Sequence, residues 1–351
     1  MRGYGMRAVE QPAWLEKPKP AAGPFDAIIK PKIVAPCSSD THVLHGGSAP
    51  RENTILGHEA VGEVAEVGEM VTKFKKGDFV VVPCTTPDWN EPGVQHGVSN
   101  AHDAGLMRSF KFLTQKDGVF AEFFHVNNAD ANLALLPEGV SPEAALMTVD
   151  MMSTGFHGVE LANVEFGDSV AVIGIGPVGL MAVAGAALKG AGRLIAVGTR
   201  KASIEVAKAY GATDIVSYKD GDIVKQIADM TNGGVKRTII AGGNAETFAQ
   251  AVQMTLPMGT IASINFFDIK DTLAMPAAVW GLGMSNKDIR CGFCPGGRVR
   301  IEHLLQLIKH KRIDPTKIIT HKFYGFDKIE EAFHLMDSKT PDLIKPIVYI
   351  D

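Results

Sequence analysis

Between residues 169 and 200 short, mostly apolar runs alternate with glycine breaks: SVAVI, GIGPVG, an Ala/Gly/Leu-rich stretch, then RLIAV. Unbroken runs of branched apolar residues predict strands buried on both faces. The small residues between them predict a helix that packs closely on a sheet. The alternation continues from 168 to about 295. Strands are expected at 169–173, 193–197, 214–217, 237–241 and 260–265, with helices between them, for example at 201–210 and 246–255. This succession predicts an α/β domain with a doubly wound parallel sheet.

The first 150 residues carry a different pattern. Residues 1–35, 55–68 and 71–84 alternate short extended runs with Pro and Gly breaks, with prolines suited to strand ends. DGVFAEFFHV, 117–126, reads as a further strand, and the whole suggests a small β-barrel-like domain. Residues 85–118 are polar and irregular and contain Asp88, Trp89, His96, His102 and Phe110. A loop of that length is usually functional or a subunit contact. Residues 141–162 read as helical, with Ser141 as N-cap and Pro142 at the first helical position. Asp150 is embedded there among apolar neighbours. After 295 an amphipathic helix is expected at 298–311, and the tail DLIKPIVYI reads as a strand with no place in the parallel sheet. The expected organisation is therefore discontinuous. Residues 1–152 and 296–351 form a β-rich domain in two segments, and 153–295 the α/β domain.

The turn after the first parallel strand is Gly174-Ile175-Gly176-Pro177-Val178-Gly179, a G-x-G-x-x-G with Pro177 just inside the helix. Its glycines permit a tight turn, a close approach of backbone to a pyrophosphate, and contact between helix and strand. The helix N-terminus offers unpaired N–H groups to that pyrophosphate. The second strand ends at Val197 and is followed by Gly198, Thr199 and Arg200. NAD-binding versions of such a sheet carry a carboxylate there that would repel a 2′-phosphate. Its absence, with a hydroxyl donor and a guanidinium in its place, predicts NADP(H).

Composition narrows the picture further. The chain has 351 residues, 46% hydrophobic and 21% charged, enough for two domains that each bury a core. A net charge of −4 gives no case for a nucleic acid partner or a membrane surface. No apolar run reaches the ~20 residues that span a bilayer, and the start lacks the apolar core of a signal peptide. Four cysteines do not make a disulfide framework, so a cytoplasmic, reduced protein is expected.

Cys37, His58, Glu59 and Asp150 are of the types that bind zinc, and catalytic zinc takes three protein ligands and one open position. They form no local motif. Read alone, Cys37 is equally a core thiol, His58 a satisfied buried histidine and Asp150 a local cap. Cys291 and Cys294 spell C-x-x-C without a second pair, which suits structural or pocket-lining use.

CSSDTH at 37–42, GHEAVGEVAEVG at 57–68, GDFVVVPC at 77–84 and GIGPVG at 174–179 resemble the zinc-dependent medium-chain alcohol dehydrogenase superfamily. DGVFAEFFHVNNADANLALLP, MSTGFHGVELA, YGATDI, CPGGRVR and DLIKPIV are similar to its NADP-dependent secondary alcohol dehydrogenases of bacteria and protists. The resemblance spans essentially the whole chain. It implies a Rossmann domain beside a GroES-like catalytic domain. Cys37, His58 and Asp150 would bind the catalytic zinc, and Glu59 would sit behind it, coordinating when substrate is absent. Asp40 would orient a ligand imidazole. Ser39 would take the alcohol proton and His42 would pass it on. The resemblance also implies cofactor contacts from Tyr218, Asn265, Phe266, Phe267 and Lys339, a pocket lined by Ser39, Thr85, Phe110 and Cys294, and a homotetramer. Relatives with a structural zinc hold it by four cysteines near residues 88–115. That window has none here, so one catalytic zinc per subunit is expected.

The activity so implied is oxidation of small secondary alcohols to ketones and the reverse. A polyol dehydrogenase, a zinc-free quinone reductase and a non-catalytic NADPH-binding protein are the competing readings. The intact Cys37–His58–Asp150 set weighs against the last two.

Overall fold

The apolar runs of the 168–295 stretch become strands. In this computed structural model, which describes residues 1–47, 51–97, 110–268 and 270–350, they form a six-stranded parallel sheet. Its order is Asp214–Val216, Arg193–Val197, Ser169–Ile173, Val235–Ile240, Thr255–Ser263, Asp288–Cys291. Strand order reverses between Ser169–Ile173 and Val235–Ile240, the kind of place where open α/β sheets bind ligands. Ala171, Ile173, Ile195, Val197, Ile240 and Ile261 are buried together, which is why these strands read as continuous apolar runs. The sixth strand, Asp288–Cys291, has no counterpart among the expected ones. All four of its residues are exposed, so no apolar run marks it.

Pro177 begins the helix Pro177–Leu188, where its missing N–H costs nothing. Gly179 lies so close to the preceding turn that a Cβ there would stand 1.8 Å from the Gly174 carbonyl oxygen. Gly174 has φ 88°, a conformation that glycine adopts without strain.

The β-rich part is built on Ala27–Val34. That strand pairs antiparallel with Ala60–Val67, which pairs with Phe79–Val82. Pro31 lies inside the strand rather than at its end, at a register shift where the ladder is interrupted. The tail strand Lys345–Tyr349 joins the other side of Ala27–Val34 through Val348 and Val34, and this is its place. A smaller sheet pairs Arg2–Ala8 with Gln11–Glu16 and Thr54–Ile55. Of 117–126 only Phe124–Val126 is a strand. Within 85–118 the described residues form two short helices, Pro92–Gln95 and Lys111–Thr114. His102 lies outside the described residues.

The 141–162 helix is not continuous. Ser141 Oγ accepts from the Ala144 N–H at 3.2 Å and starts the α-helix Pro142–Met147. A π-helical turn, Thr148–Met152, follows, and Ser153–Leu161 is α-helical again. The π turn carries Asp150, and such turns concentrate at functional sites.

By contacts the chain divides into two compact units, Met1–Ser153 with Cys294–Asp351, and Thr154–Phe293. The divisions fall one residue after 152 and two before 296. Ser153 is tied to the first unit by its hydroxyl, which donates to the Pro295 carbonyl at 3.0 Å, and by its own carbonyl, which accepts from Arg300 at 2.9 Å. No helix among the described residues is long and apolar enough to cross a membrane.

Candidate functional site

The helix Ser38–Leu44 begins at Cys37, whose backbone is extended. Asp40 stands three residues into the segment and is fully buried. One carboxylate oxygen accepts from the Cys37 N–H at 2.9 Å. The other faces the Gly57 N–H at 3.1 Å and His58 Nδ1 at 3.0 Å. A single acid thus fixes the backbone of Cys37 and the ring of His58. With Nδ1 facing a carboxylate, Nε2 is the ring nitrogen left to take a ligand.

Asp150, from the π turn, meets these two residues. Its Oδ2 lies 3.8 Å from Cys37 Sγ and 3.4 Å from His58 Nε2. Donor atoms of Cys37, His58, Glu59 and Asp150 all lie within 4.8 Å of one another. A tetrahedral zinc with bonds of ~2.0–2.3 Å sets its donors roughly 3.3–3.8 Å apart. The thiol, imidazole and carboxylate therefore fit zinc in identity and in spacing. Burial favours a neutral His58 ring, but Asp40 and then Asp150 outweigh it and hold the ring proton well above the ordinary histidine range.

Glu59 is fully buried behind the cluster, with Oε1 3.9 Å from His58 Nε2. Oε1 also accepts from Lys345 Nζ at 2.5 Å, while Oε2 is buried with no hydrogen-bond partner among the described residues. Burial pushes the Glu59 carboxyl up to about 7; the Lys345 ammonium pulls against that shift and Asp150 adds to it. Lys345 is itself fully buried and also donates to the Pro36 carbonyl at 2.9 Å. Burial pulls its pKa down, but Glu59 and then Cys37 outweigh that and raise it above the ordinary lysine value. Sequence reasoning missed this lysine. Its signal was a single cation inside the apolar run DLIKPIVYI.

Ser39 Oγ is 3.3 Å from His58 Nε2. His42 follows at i+3 on the same helix, hence on the same face, with Gly47 against its ring. Phe110 is buried with its ring edge-on to His58, centroids 5.1 Å apart. Thr85 and Cys294 are buried in the same unit, and Cys84 Sγ faces Thr85 Oγ1 at 3.6 Å. Cys291 is exposed and belongs to the other unit, so the C-x-x-C pair is divided between them.

The second unit contains a cavity of about 920 Å³ at the switch point of its sheet. Gly174, Ile175, Gly176, Gly198, Thr199, Arg200 and Tyr218 are part of its wall. The Thr199 hydroxyl donates to Tyr218 Oη at 2.8 Å. A Cβ on Gly198 would meet Ile175 Cγ1 at 2.3 Å, so the bare backbone there is required by the neighbouring side chain. Burial pushes the Arg200 guanidinium below the ordinary arginine value, and it stays a cation facing a cavity large enough for a dinucleotide. Asn265, Phe266 and Phe267 lie outside this wall; Asn265 Nδ2 donates to the Gly243 carbonyl at 3.5 Å and Phe267 packs on the sheet core. Lys339 ends the helix Ile329–Ser338 with φ 50°, in the first unit.

Comparison with known proteins agrees with this arrangement. Residues 23–138 match the alcohol dehydrogenase GroES-like domain, and residues 177–310 the zinc-binding dehydrogenase domain. The chain is 57% identical to the NADP-dependent isopropanol dehydrogenase of Thermoanaerobacter brockii, over 100% of both chains. It is 51% identical to the enzyme of the same name from Entamoeba histolytica, over 100% of this chain and 96% of that one. Among solved structures, a zinc-dependent alcohol dehydrogenase 2 from Streptococcus pneumonia superposes with a TM-score of 0.90 at 30% identity, over 100% of this chain and 99% of the other.

Proposed function

The chain belongs to the zinc-dependent medium-chain alcohol dehydrogenases, and within that family we propose that it interconverts short secondary alcohols and ketones with NADP(H). The observation that carries this reading is the convergence of Cys37, His58 and Asp150 at ligand spacing in the unit that also holds Phe110, Thr85 and Cys294. The names of the T. brockii and E. histolytica relatives support the substrate and cofactor class.

Cys37 Sγ, His58 Nε2 and Asp150 Oδ2 would hold zinc, with Glu59 behind it. Zinc so held supplies Lewis acidity that polarises a substrate oxygen. NADP(H) supplies the hydride chemistry. The residues of the chain do the rest. Asp40 keeps the His58 ring in one orientation and one tautomer. Ser39 Oγ accepts the alcohol proton, and His42 relays it. Phe110 gives the pocket an apolar wall, which favours a small hydrocarbon substituent over a second hydroxyl. Thr85 adds one hydroxyl to that wall. Gly198, Thr199 and Arg200 receive the 2′-phosphate, with Tyr218 beside them.

We assign one zinc per subunit, a homotetramer and a cytoplasmic setting. The absence of cysteine from 88–115 supports the count. The decisive assay compares 2-propanol and sorbitol as substrates, each with NADP and with NAD, alongside metal analysis and native mass. The expected result is 2-propanol with NADP far ahead and one zinc per chain. Sorbitol leading in kcat/KM would transfer the reading to a polyol dehydrogenase, and equal kcat/KM for the two cofactors would overturn the role of 198–200.

A further inference from the structure

Beside the first donor cluster lies another. The donor atoms of Cys84, Asp150 and Cys294 are mutually within 4.8 Å, and all three residues are buried. We infer that Cys84, Cys294 and Asp150 form a second seat for a soft divalent cation, sharing Asp150 with the zinc seat. The inference rests on the assignment of the first ion to Cys37, His58 and Asp150.

The seat is held in shape by its surroundings. The Cys84 N–H donates to the Val149 carbonyl at 3.1 Å, which fixes it against the π turn that carries Asp150. The segment after Cys294 is pressed on the stretch beyond the strand Phe79–Val82 that bears Cys84. A Cβ on Gly296 would stand 2.0 Å from the Thr85 carbonyl oxygen, and Ser153 Oγ donates to the Pro295 carbonyl at 3.0 Å. The two thiols have weak partners at present: Thr85 Oγ1 at 3.6 Å from Cys84 Sγ, and the Pro295 carbonyl at 3.7 Å from Cys294 Sγ.

The chemistry selects the ion. Two thiolates and a carboxylate suit zinc or cadmium and not magnesium or calcium. Each thiol releases its proton to solvent, and its sulfur lone pair forms the bond to the cation. Two protons leave for one divalent cation, so the net buried charge is unchanged. A carboxylate has two oxygens and can serve two ions, and paired sites hold them ~3.5–4 Å apart. An ion there covers the pocket wall at Thr85 and Cys294, so loading both seats is inhibitory.

The test is cadmium titration of the zinc-loaded enzyme, read by ultraviolet thiolate-to-cadmium absorption and by metal content after gel filtration. The expected result is one cadmium bound in addition to one retained zinc, with a thiolate band. Cys84→Ala and, independently, Cys294→Ala lower cadmium affinity by more than the ~10–100-fold that follows loss of a partner behind a ligand. Cys291→Ala keeps both ion and band. Cadmium that merely replaces zinc, a band that survives in Cys84→Ala and Cys294→Ala, or a band lost in Cys291→Ala overturns the inference. Should one cysteine variant unfold, the other still decides. Failure of the underlying zinc assignment shows separately, as enzyme purified without zinc before any cadmium is added.

Discussion

In the cavity of the second unit the backbone is arranged for recognition. Gly174, Gly176 and Gly198 leave main chain bare, and a Cβ at Gly198 would collide with Ile175. Around Asp150 the side chains are arranged for it, through a thiol, an imidazole, three carboxylates and one ammonium, nearly all of them buried. The first kind of site depends above all on shape, with the Arg200 cation added to its wall. The second tolerates little change in charge, because each buried group is compensated by another.

The largest effect that tests this contrast is at Asp150. Asp150→Ala should lose the zinc and several kcal/mol of charge stabilisation, about a thousandfold in kcat/KM. NADPH binding, followed by fluorescence, should be kept. Full zinc content in that variant would break the comparison at its centre.

Next is the buried pair behind the cluster. Lys345→Met leaves Glu59 uncompensated and should cost about 3 kcal/mol of stability in chemical denaturation. Adding Glu59→Gln should recover part of that loss. If the double variant is no better than Lys345→Met, the lysine acts through packing and not through charge.

In the nucleotide cavity, Arg200→Ala removes one charge-assisted hydrogen bond of ~1.5–3 kcal/mol. NADP binding should weaken about tenfold or more while NAD binding is unchanged. Parallel losses for both cofactors would mean that Arg200 shapes the cavity and does not read the phosphate. A swap toward NAD through Gly198→Asp needs Ile175 shortened as well, because the new Cβ would stand 2.3 Å from Ile175 Cγ1.

The smallest effect checks that charge in the first unit matters chiefly where it is buried. His45 is solvent-facing, and its hydrogen bonds to Asp337 and then Glu10 raise its pKa. A raised folded value means that its stabilisation is full below the unfolded pKa of ~6.5. It is lost as pH climbs past the folded value. Compared with His45→Gln, wild type should gain only a few tenths of a kcal/mol in acid and nothing in base. A gain as large as that of Lys345 would erase the distinction.

The same contrast governs what could be read from sequence. Gly174 to Gly176 and Gly198 to Arg200 are two contiguous runs that line one cavity, so each reads as a local motif in the sequence. Strands buried on both faces announced themselves by apolar runs; Asp288–Cys291, wholly exposed, did not. The donors Cys37, His58 and Asp150 are scattered, and only their resemblance to a family joined them. A π turn leaves no mark in hydrophobic periodicity, so the 141–162 stretch read as one helix. Asp150 and Lys345 shared one signal, a charge inside an apolar run, which meant a buried partner in both cases.

The pairing of Glu59 with Lys345 also orders events in time. The two residues are 286 positions apart. A ribosome adding ~5–20 residues per second needs roughly 15–60 s to pass from one to the other. Once Asp150 has been made, Cys37, His58, Glu59 and Asp150 are all present while the lysine has yet to be made. Until then Glu59 lacks the ammonium that pulls its carboxyl pKa down against burial. The arriving strand then brings Lys345 to Glu59, so the last-made strand is the one that balances the charge of a cluster whose other members were made before it.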